Sequence, residues 1–186
     1  SGANPFINAP ASSCATSTTL ISSVATLSNG KLLYAHAAAT PNNKFGLISA
    51  TGYSTTADCL AAQASPTTTA LPTSILVHPS GKVLVSYGST TTASNFIYSY
   101  DINTTTNAIS NITAAYTDFT NINGPSSMTY DPETGDVFVA NALSTYNTIE
   151  RMSYNSTTRL LTKQGSRPFI PANVYTRCVS GMVVGN

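Results

Sequence analysis

Short stretches of alternating apolar and polar residues recur along this chain, each interrupted by a polar turn. The turn segments are residues 27–30 (Leu-Ser-Asn-Gly), 78–81 (His-Pro-Ser-Gly) and 131–135 (Asp-Pro-Glu-Thr-Gly). Pro presets φ, Asn, Asp and Ser bond to the local backbone, and Gly accepts a positive φ, so these segments favour tight turns. An apolar run follows each turn at once, and the pattern therefore predicts a β-hairpin in each copy.

The hairpins repeat at intervals of 51 to 54 residues, and a fourth copy begins near the end of the sequence. The equivalent positions in the four copies are Val24, Ile75, Met128 and Met182. A period of this length indicates supersecondary units that stack on their neighbours to bury a shared face.

Further strands are predicted after the hairpins. The third strands are Lys44–Ser49, Phe96–Tyr100 and Ile149–Tyr154, and weaker fourth strands are Ala108–Ile112 and Leu160–Lys163. In the first copy, residues 58–64 (Asp-Cys-Leu-Ala-Ala-Gln-Ala) favour instead a short helical turn in a connecting loop. Four antiparallel strands in a unit of this length are typical of a β-propeller blade.

The second copy carries the most specific motif. Residues 72–75 read Pro-Thr-Ser-Ile, residues 79–85 read Pro-Ser-Gly-Lys-Val-Leu-Val, and residues 97–101 read Ile-Tyr-Ser-Tyr-Asp. The motif resembles the blades of the lactonase and YVTN-type β-propeller families, closely over residues 72–163 and loosely over residues 20–53. The resemblance implies an all-β fold of propeller-like, four-stranded antiparallel repeats, about three blades plus a C-terminal strand. Such propellers include lactone-processing enzymes and non-catalytic surface proteins.

The repeats also predict the domain organisation. We expect an N-terminal extension at 1–19 and a repeat domain at 20–186, with repeats at about 20–71, 72–124 and 125–177 and the start of a fourth at 178–186. Because propellers have 4 to 8 blades, three interpretations stay open. The chain is a piece of a longer propeller, it closes with copies of itself or with partner blades, or it is a compact β domain of another kind.

The start of the fourth repeat is apolar on both sides, with Met182 and Val184 on one face and Val183 on the other. Unpaired backbone groups of a buried strand are costly. We therefore expect this strand to pair, within the chain or across an interface.

Composition narrows the functional classes. Charged residues make up 8% of the sequence, the net charge is +1, and Ser, Thr and Asn supply most of the polarity, as in many secreted and cell-surface β proteins. Nucleic-acid binding needs a concentrated positive face, which this sequence lacks. No apolar stretch approaches the roughly 20 residues of a membrane span.

Cysteines and glycosylation sequons are the candidate modification sites of the sequence. Cys14, Cys59 and Cys178 lack the spacing of a zinc site, so they are either buried thiols or one disulfide with a cysteine left over. If a disulfide forms, Cys14 to Cys59 is the favoured pair, because both residues flank the first repeat. Sequons occur at Asn103, Asn111 and Asn155, and they matter only in a protein secreted by a eukaryote.

The ionisable residues give little sign of catalysis. His78 occupies a turn position, which favours a structural role, and His36 follows the second strand of the first copy. Four acidic residues fall in or beside turns, where they are expected to serve the backbone; they are Asp101, Asp131, Glu133 and Asp136. The acidic segment at 131–136 lacks the length and alternation of a calcium loop, so no metal or cofactor is expected.

Glu150 and Arg151 are adjacent in a predicted strand, so their side chains should point to opposite faces and not to each other. One of them must then face inward or toward a neighbouring repeat. Ten tyrosines offer amphipathic rings for glycan or protein contacts. Tyr98 and Tyr100, however, alternate along one strand as packing residues do.

Two functional hypotheses remain. The first is an extracellular or cell-surface module for binding, adhesion or assembly, without catalysis, that takes a protein or glycan ligand. The second is a lactonase- or cyclase-like enzyme, as the resemblance implies. The enzyme would need a converging set drawn from His36, Glu150, Arg151 and Arg177, or residues of further blades. In either case self-association or partner blades would complete the fold of the chain.

Overall fold

The computed structural model describes residues 21–37, 44–49, 59–64, 70–88, 95–118, 122–142, 147–166 and 168–171. These residues form twelve strands in three four-stranded antiparallel sheets, each sheet following the order of the chain. The first sheet contains β1 (Ile21–Thr26), β2 (Leu32–His36), β3 (Lys44–Ile48) and β4 (Cys59–Ala64). The second contains β5 (Leu71–Val77), β6 (Lys82–Gly88), β7 (Phe96–Ile102) and β8 (Ile109–Tyr116). The third contains β9 (Pro125–Tyr130), β10 (Asp136–Asn141), β11 (Ile149–Asn155) and β12 (Leu160–Lys163).

The predicted hairpin turns are present in all three sheets. In the first, the Leu27 amide donates to the Lys31 carbonyl at 2.9 Å, and the Gly30 amide donates back to the Leu27 carbonyl. The turns after β5 and β9 close with an equivalent pair of backbone hydrogen bonds, although the turn after β9 is one residue longer. Gly30, Gly81 and Gly135 have φ of 81°, 80° and 75°, a region that glycine occupies without a steric penalty. The turn chemistry read from the sequence is therefore confirmed.

The three repeats also share one register. The equivalent pairs across the first and second strands are Val24 with Tyr34, Ile75 with Val85, and Met128 with Val139. Because side chains alternate along a strand, equal register places equivalent residues on the same face of each sheet. The sequence repeat is thus a structural repeat.

The helical turn expected at residues 58–64 is wrong. Residues 59–64 form β4, which pairs with β3 through Leu47 with Ala61 and Gly46 with Ala62. The alanines favour a helix in isolation, but Leu60 and Ala61 pack against the core beside the second sheet. Tertiary packing and pairing with β3 outweigh the local propensity.

The sheets stack face to face through two apolar cores. The first core, between the first and second sheets, includes Leu33, Phe45, Leu47, Val83, Val85, Tyr87 and Tyr100. The second, between the second and third sheets, includes Leu84, Ile97, Met128, Val137, Val139 and Met152. The second sheet is therefore apolar on both faces. Each large side chain that is fully buried stabilises the fold by about 1.5–3 kcal/mol.

The first strands of the sheets lie side by side, since β5 contacts both β1 and β9. Equivalent residues are nevertheless buried to different extents. Val24 in β1 is 57% exposed, whereas Ile75 is 7% and Met128 6% exposed. The outer face of the first sheet is therefore exposed at Val24, although Tyr34 and His36 on the same face are buried.

A short segment after the third sheet lies against the opposite end of the stack. Ile170 forms an antiparallel bridge with Ile149 of β11, and the ring of Phe169 lies 5.0 Å from that of Phe138. The predicted N-terminal extension (1–19) and the start of the fourth repeat (178–186) lie outside the described residues, so the predicted domain boundaries stay predictions.

Candidate functional site

A chain of buried polar side chains connects the second and third sheets, at the end where second strands finish and third strands begin. The Asn95 amide donates to Asn123 Oδ1 at 3.2 Å, and the Asn123 backbone amide donates to Asn141 Oδ1 at 3.0 Å. The Asn141 amide in turn donates to Thr148 Oγ1 at 2.9 Å. The three asparagines are at most 2% exposed. We call this set, with Glu150 and Lys163, the polar network.

The network ends at a buried ion pair. Thr148 Oγ1 donates to Glu150 Oε1 at 3.4 Å, and Lys163 Nζ lies 2.9 Å from Glu150 Oε2. Glu150 is 2% exposed and faces the second sheet, on the same side of β11 as Met152. A buried carboxylate needs such partners, because an unpaired charge in the interior is very costly. The network can therefore hold loops and strand ends rigidly in place.

The residues predicted for an enzyme do not converge in the described part of the chain. Arg151 points to the opposite face from Glu150, as the sequence predicted, and its Nε donates to Asp136 Oδ2 at 2.6 Å. His36 ends β2 in the first sheet and is 2% exposed, on the face turned away from the second sheet. Arg177 lies outside the described residues.

Asp101 joins the second and third sheets. Its carboxylate lies 2.8 Å from Lys82 Nζ and 2.6 Å from Arg159 Nη2, and it accepts a hydrogen bond from the Asn111 amide at 2.7 Å. Partial burial acts to raise the pKa of Asp101, but the Lys82 and Asn111 hydrogen bonds and the charges of Lys82 and Arg159 outweigh it. The pKa is therefore lower than usual.

Two of the acidic residues expected to serve turns do something else. Asp101 lies within β7 and Asp136 begins β10, and both carboxylates bind basic side chains. Asp131 does serve its turn, because its side chain accepts hydrogen bonds from the Glu133 amide and the Thr134 hydroxyl. Those bonds lower the pKa of Asp131. Strand pairing places Asp101 directly opposite Lys82 and Asp136 diagonally across from Arg151, which spacing alone did not indicate.

His78 is a packing residue in its turn. Its ring lies 4.9 Å from the rings of both Tyr130 and Tyr154, and its Nδ1 accepts a hydrogen bond from the Ser80 amide at 3.1 Å. Burial among these rings lowers the pKa of His78. A cavity of about 350 Å³ lies beside it, lined mostly by turn residues of the first two sheets. The structural role predicted for this histidine fits its contacts.

The tyrosines seen in the described strands pack inward. Tyr87 and Tyr100 are fully buried, and their hydroxyls lie 2.6 Å apart. Tyr98 stacks edge-on against Tyr87 at 5.9 Å. The packing role considered for Tyr98 and Tyr100 is the one that they have.

The sequons differ in their surroundings. Asn103 and Asn155 are exposed in turns, where each Oδ1 accepts hydrogen bonds from two following backbone amides. Asn111 donates its amide, the group that would carry a glycan, to Asp101. Cys14 and Cys178 lie outside the described residues, and Cys59 begins β4, so the predicted disulfide stays a prediction.

Within the described ranges, no three His, Cys, Asp or Glu side chains lie close enough together to hold a metal ion. Across those same ranges, no helix has the length and apolar character to cross a membrane. The polar network and the Asp101 cluster are therefore the main groupings of chemically active side chains in this part of the molecule.

No protein-family model and no curated protein matches the sequence. Solved structures do resemble the fold. A candidate 6-phosphogluconolactonase from Bacteroides fragilis matches with a TM-score of 0.62 at 14% identity, over 85% of this chain and 40% of that one. A chain of the mitotic checkpoint complex matches with a TM-score of 0.56 at 18% identity, over 89% and 43%. A nutrient binding protein from Bacteroides ovatus matches with a TM-score of 0.52 at 17% identity, over 84% and 32%.

These three proteins share an architecture and differ in what they do, so the likeness shows the fold alone. The chain spans less than half the length of each of them. Its three stacked, four-stranded antiparallel sheets are the blades implied by the resemblance to lactonase-type propellers. The chain therefore has the all-β architecture of a partial β-propeller, with three blades in its described part.

Proposed function

We propose that this chain is a non-catalytic binding module built from propeller blades and displayed outside the cell. The observation that carries the proposal is that the acidic side chains of the blades bind basic side chains of the same protein. Asp101, Asp136 and Glu150 each hold a basic side chain at 2.9 Å or less, inside or between sheets. A general acid or base must instead reach a substrate proton.

The solvent-facing groups suit binding. In the outer strand β8, Ser110, Asn111 and Ile112 are exposed, and Leu160 is exposed at the equivalent edge of the third sheet. Hydroxyl and amide groups around single apolar side chains can contact glycans or polar protein surfaces without charge complementarity. The nutrient binding protein among the structural neighbours supports a binding role for this architecture.

The binding test uses the folded chain on a glycan array and on a panel of extracellular matrix proteins. Ile112→Glu and Leu160→Glu are matched variants, since the two side chains are 44% and 46% exposed on outer strands of neighbouring sheets. We expect a ligand whose affinity falls at least tenfold in one variant and not in the other. No binding on either panel, together with turnover of a small substrate, would overturn the proposal.

The extracellular location has its own test. Asn103 and Asn155 present exposed sequons. The hydrogen bonds in their turns are accepted by Oδ1 and do not involve the side-chain amide that would carry a glycan. Expression through a eukaryotic secretory pathway should therefore give glycan at these two positions and less at Asn111. Peptide mass mapping before and after enzymatic glycan removal reads the occupancy. Retention of the chain inside the cell in a misfolded form would count against an extracellular role.

A lactone-processing enzyme is the second candidate, favoured by the buried carboxylate of Glu150 at the loop end of the third sheet. The test is hydrolysis of simple sugar lactones by the wild type and by Glu150→Gln, with Asp136→Asn as the control. Both carboxylates pair with a cation in the same sheet but point to opposite faces. Turnover that is lost only in Glu150→Gln would establish this candidate in place of the first.

A further inference from the structure

The first strand of every sheet contains the same irregularity. A β-bulge adds one residue to this strand relative to its partner, between Ile21 and Ser23 in β1, between Pro72 and Ser74 in β5, and between Pro125 and Ser127 in β9. The extra residues are Ser22, Thr73 and Ser126, and each is followed by a serine. A bulge turns a side chain away from the regular alternation of the strand. At each of these three bulges, the extra residue carries a hydroxyl group.

Between the first and second sheets, these hydroxyls bind the backbone of the next sheet. Ser22 Oγ donates to the Pro72 carbonyl at 2.6 Å, and Ser23 Oγ accepts from the Ile75 amide at 3.1 Å. β5 is an edge strand of its sheet, so its outward backbone groups need partners from elsewhere. The two hydroxyls supply them, and we call this pair of hydrogen bonds the hydroxyl clip.

The clip is repeated between the second and third sheets. Thr73 Oγ1 donates to the Pro125 carbonyl at 2.6 Å, and Ser74 Oγ accepts from the Met128 amide at 3.1 Å. The distances equal those of the first clip, although the donor is now a threonine. The clip is therefore a property of the repeat and not of one interface.

The third sheet carries the same two hydroxyls in the same local setting. Ser126 Oγ donates to the Ala140 carbonyl of its own sheet at 3.4 Å. The equivalent contacts are Ser22 to Ala35 at 3.3 Å and Thr73 to Ser86 at 3.2 Å. Ser126 is thus oriented as Ser22 and Thr73 are, and Ser127 follows it in the sequence as Ser23 and Ser74 follow them.

We propose that Ser126 and Ser127 form a third clip, which seats the opening strand of the fourth repeat of this chain, residues 179–184, beside β9. Ser126 Oγ donates to the carbonyl of Val179, and the Met182 amide donates to Ser127 Oγ. Residues 179–184 then cover β9, the edge strand of the third sheet, and the stack extends by one strand in the same direction.

The spacing of the sequence supports this occupant. A clip binds a carbonyl and an amide three residues apart, as in Pro72 with Ile75 and Pro125 with Met128. Val179 and Met182 have that separation. Met182 follows Met128 by 54 residues, close to the 53 that separate Met128 from Ile75. The segment therefore lies at the next position of the repeat and has a carbonyl and an amide at the separation that a clip binds.

Residue-resolved hydrogen exchange of the full chain tests the proposal at one amide. In Ser127→Ala, exchange of the Met182 amide should accelerate about five- to tenfold relative to that of Val139, which reports global opening. Ser74→Ala is the positive control, because it removes a clip seen in the structure and should accelerate the Met128 amide by a similar factor. Ser126→Thr should leave Met182 unchanged, since a threonine fills the same position in the second sheet.

The other outcomes overturn the proposal. One is a Met182 amide that exchanges at its unprotected rate in the wild type. Another is a protected Met182 amide that Ser127→Ala leaves unaffected while Ser74→Ala exposes Met128. A third is a change in oligomeric mass in Ser127→Ala with no change at Met182, because Ser127 would then hold a second copy of the chain and not residues 179–184.

Discussion

At the scale of single residues, polar groups are buried here only together with their partners. The asparagines Asn95, Asn123 and Asn141 are spread over 47 sequence positions. In the fold they form one chain of hydrogen bonds. Sequence periodicity reports which face of a strand is buried, but it does not report which polar groups meet across sheets. The network was therefore missed, whereas the opposite orientation of Glu150 and Arg151 followed from strand geometry alone.

The hydroxyl pair of Tyr87 and Tyr100 gives a residue-scale prediction. Both rings are fully buried, the hydroxyls lie 2.6 Å apart, and burial raises the pKa of each. Tyr87→Phe or Tyr100→Phe alone should cost about 1–2 kcal/mol, because one buried hydroxyl loses its partner. The double variant should cost less than the sum of the two. Urea denaturation of the four proteins measures this coupling, and strict additivity would show that the pair contributes nothing.

Asp101 gives a prediction for pH. Because its pKa is lowered in the folded state, its contribution to stability is present above the unfolded value of about 4 and is lost as pH falls through the folded value. Asp101→Asn should therefore lower the free energy of unfolding by about 1 kcal/mol at pH 7. The difference between variant and wild type should shrink by pH 3.

Urea titrations at the two pH values check the Asp101 prediction. Glu133→Gln is the control, because its side chain is exposed in the turn after β9. An equal loss at pH 3 and pH 7 would mean that the carboxylate charge does not hold Lys82 and Arg159.

At the scale of elements, the hairpins could be predicted because their turns carry local chemistry. Pro, Asn and Gly fix the backbone within four or five residues, and no distant contact is needed. β4 could not be predicted in the same way. Its alanines carry a helical preference, and only the exposed edge of β3 and the core beside Leu60 make it a strand. Elements whose conformation depends on a neighbour are the ones that sequence patterns miss.

Gly46 in β3 should be intolerant of any side chain. A Cβ there would lie 2.5 Å from Tyr34 Oη and 2.6 Å from the Ala61 carbonyl. Since one of these is backbone, Gly46→Ala should destabilise the fold by about 1–3 kcal/mol. Gly81→Asn is the matched control, because the turn is open around Gly81 and asparagine tolerates its positive φ. Thermal melts of both variants make the comparison, and a neutral Gly46→Ala would contradict the described packing of β3 on Tyr34.

The clip between the second and third sheets should carry measurable stability. Thr73→Val keeps the shape of the side chain and leaves the Pro125 carbonyl without its 2.6 Å donor, so we expect a loss of about 1–2 kcal/mol. Thr73→Ser keeps the hydroxyl and should lose less. Chemical denaturation compares the two. A greater loss in Thr73→Ser would show that the methyl group, and not the hydrogen bond, holds the sheets together.

At the scale of the whole molecule, stability comes from stacking, because each sheet is thin and buries its apolar faces only against a neighbour. In the described part of the chain, the second sheet packs against a neighbouring sheet on both faces, whereas the outer face of the first sheet buries a small cluster of its own around Tyr34 and Ile48. The sequence repeat predicted units of this kind. It could not predict that Val24 is exposed while Ile75 and Met128 are buried, since all three are apolar and occupy the same position of the repeat.

The stacking order is tested most directly by truncating these three equivalent side chains to alanine and measuring the free energy of unfolding in urea. Ile75→Ala and Met128→Ala should each cost about 2–5 kcal/mol, because both side chains are buried between sheets. Val24→Ala, at a side chain that is 57% exposed, should cost less than about 1 kcal/mol. Equal losses at the three positions would contradict the account, since Val24 would then be buried between sheets like its two equivalents.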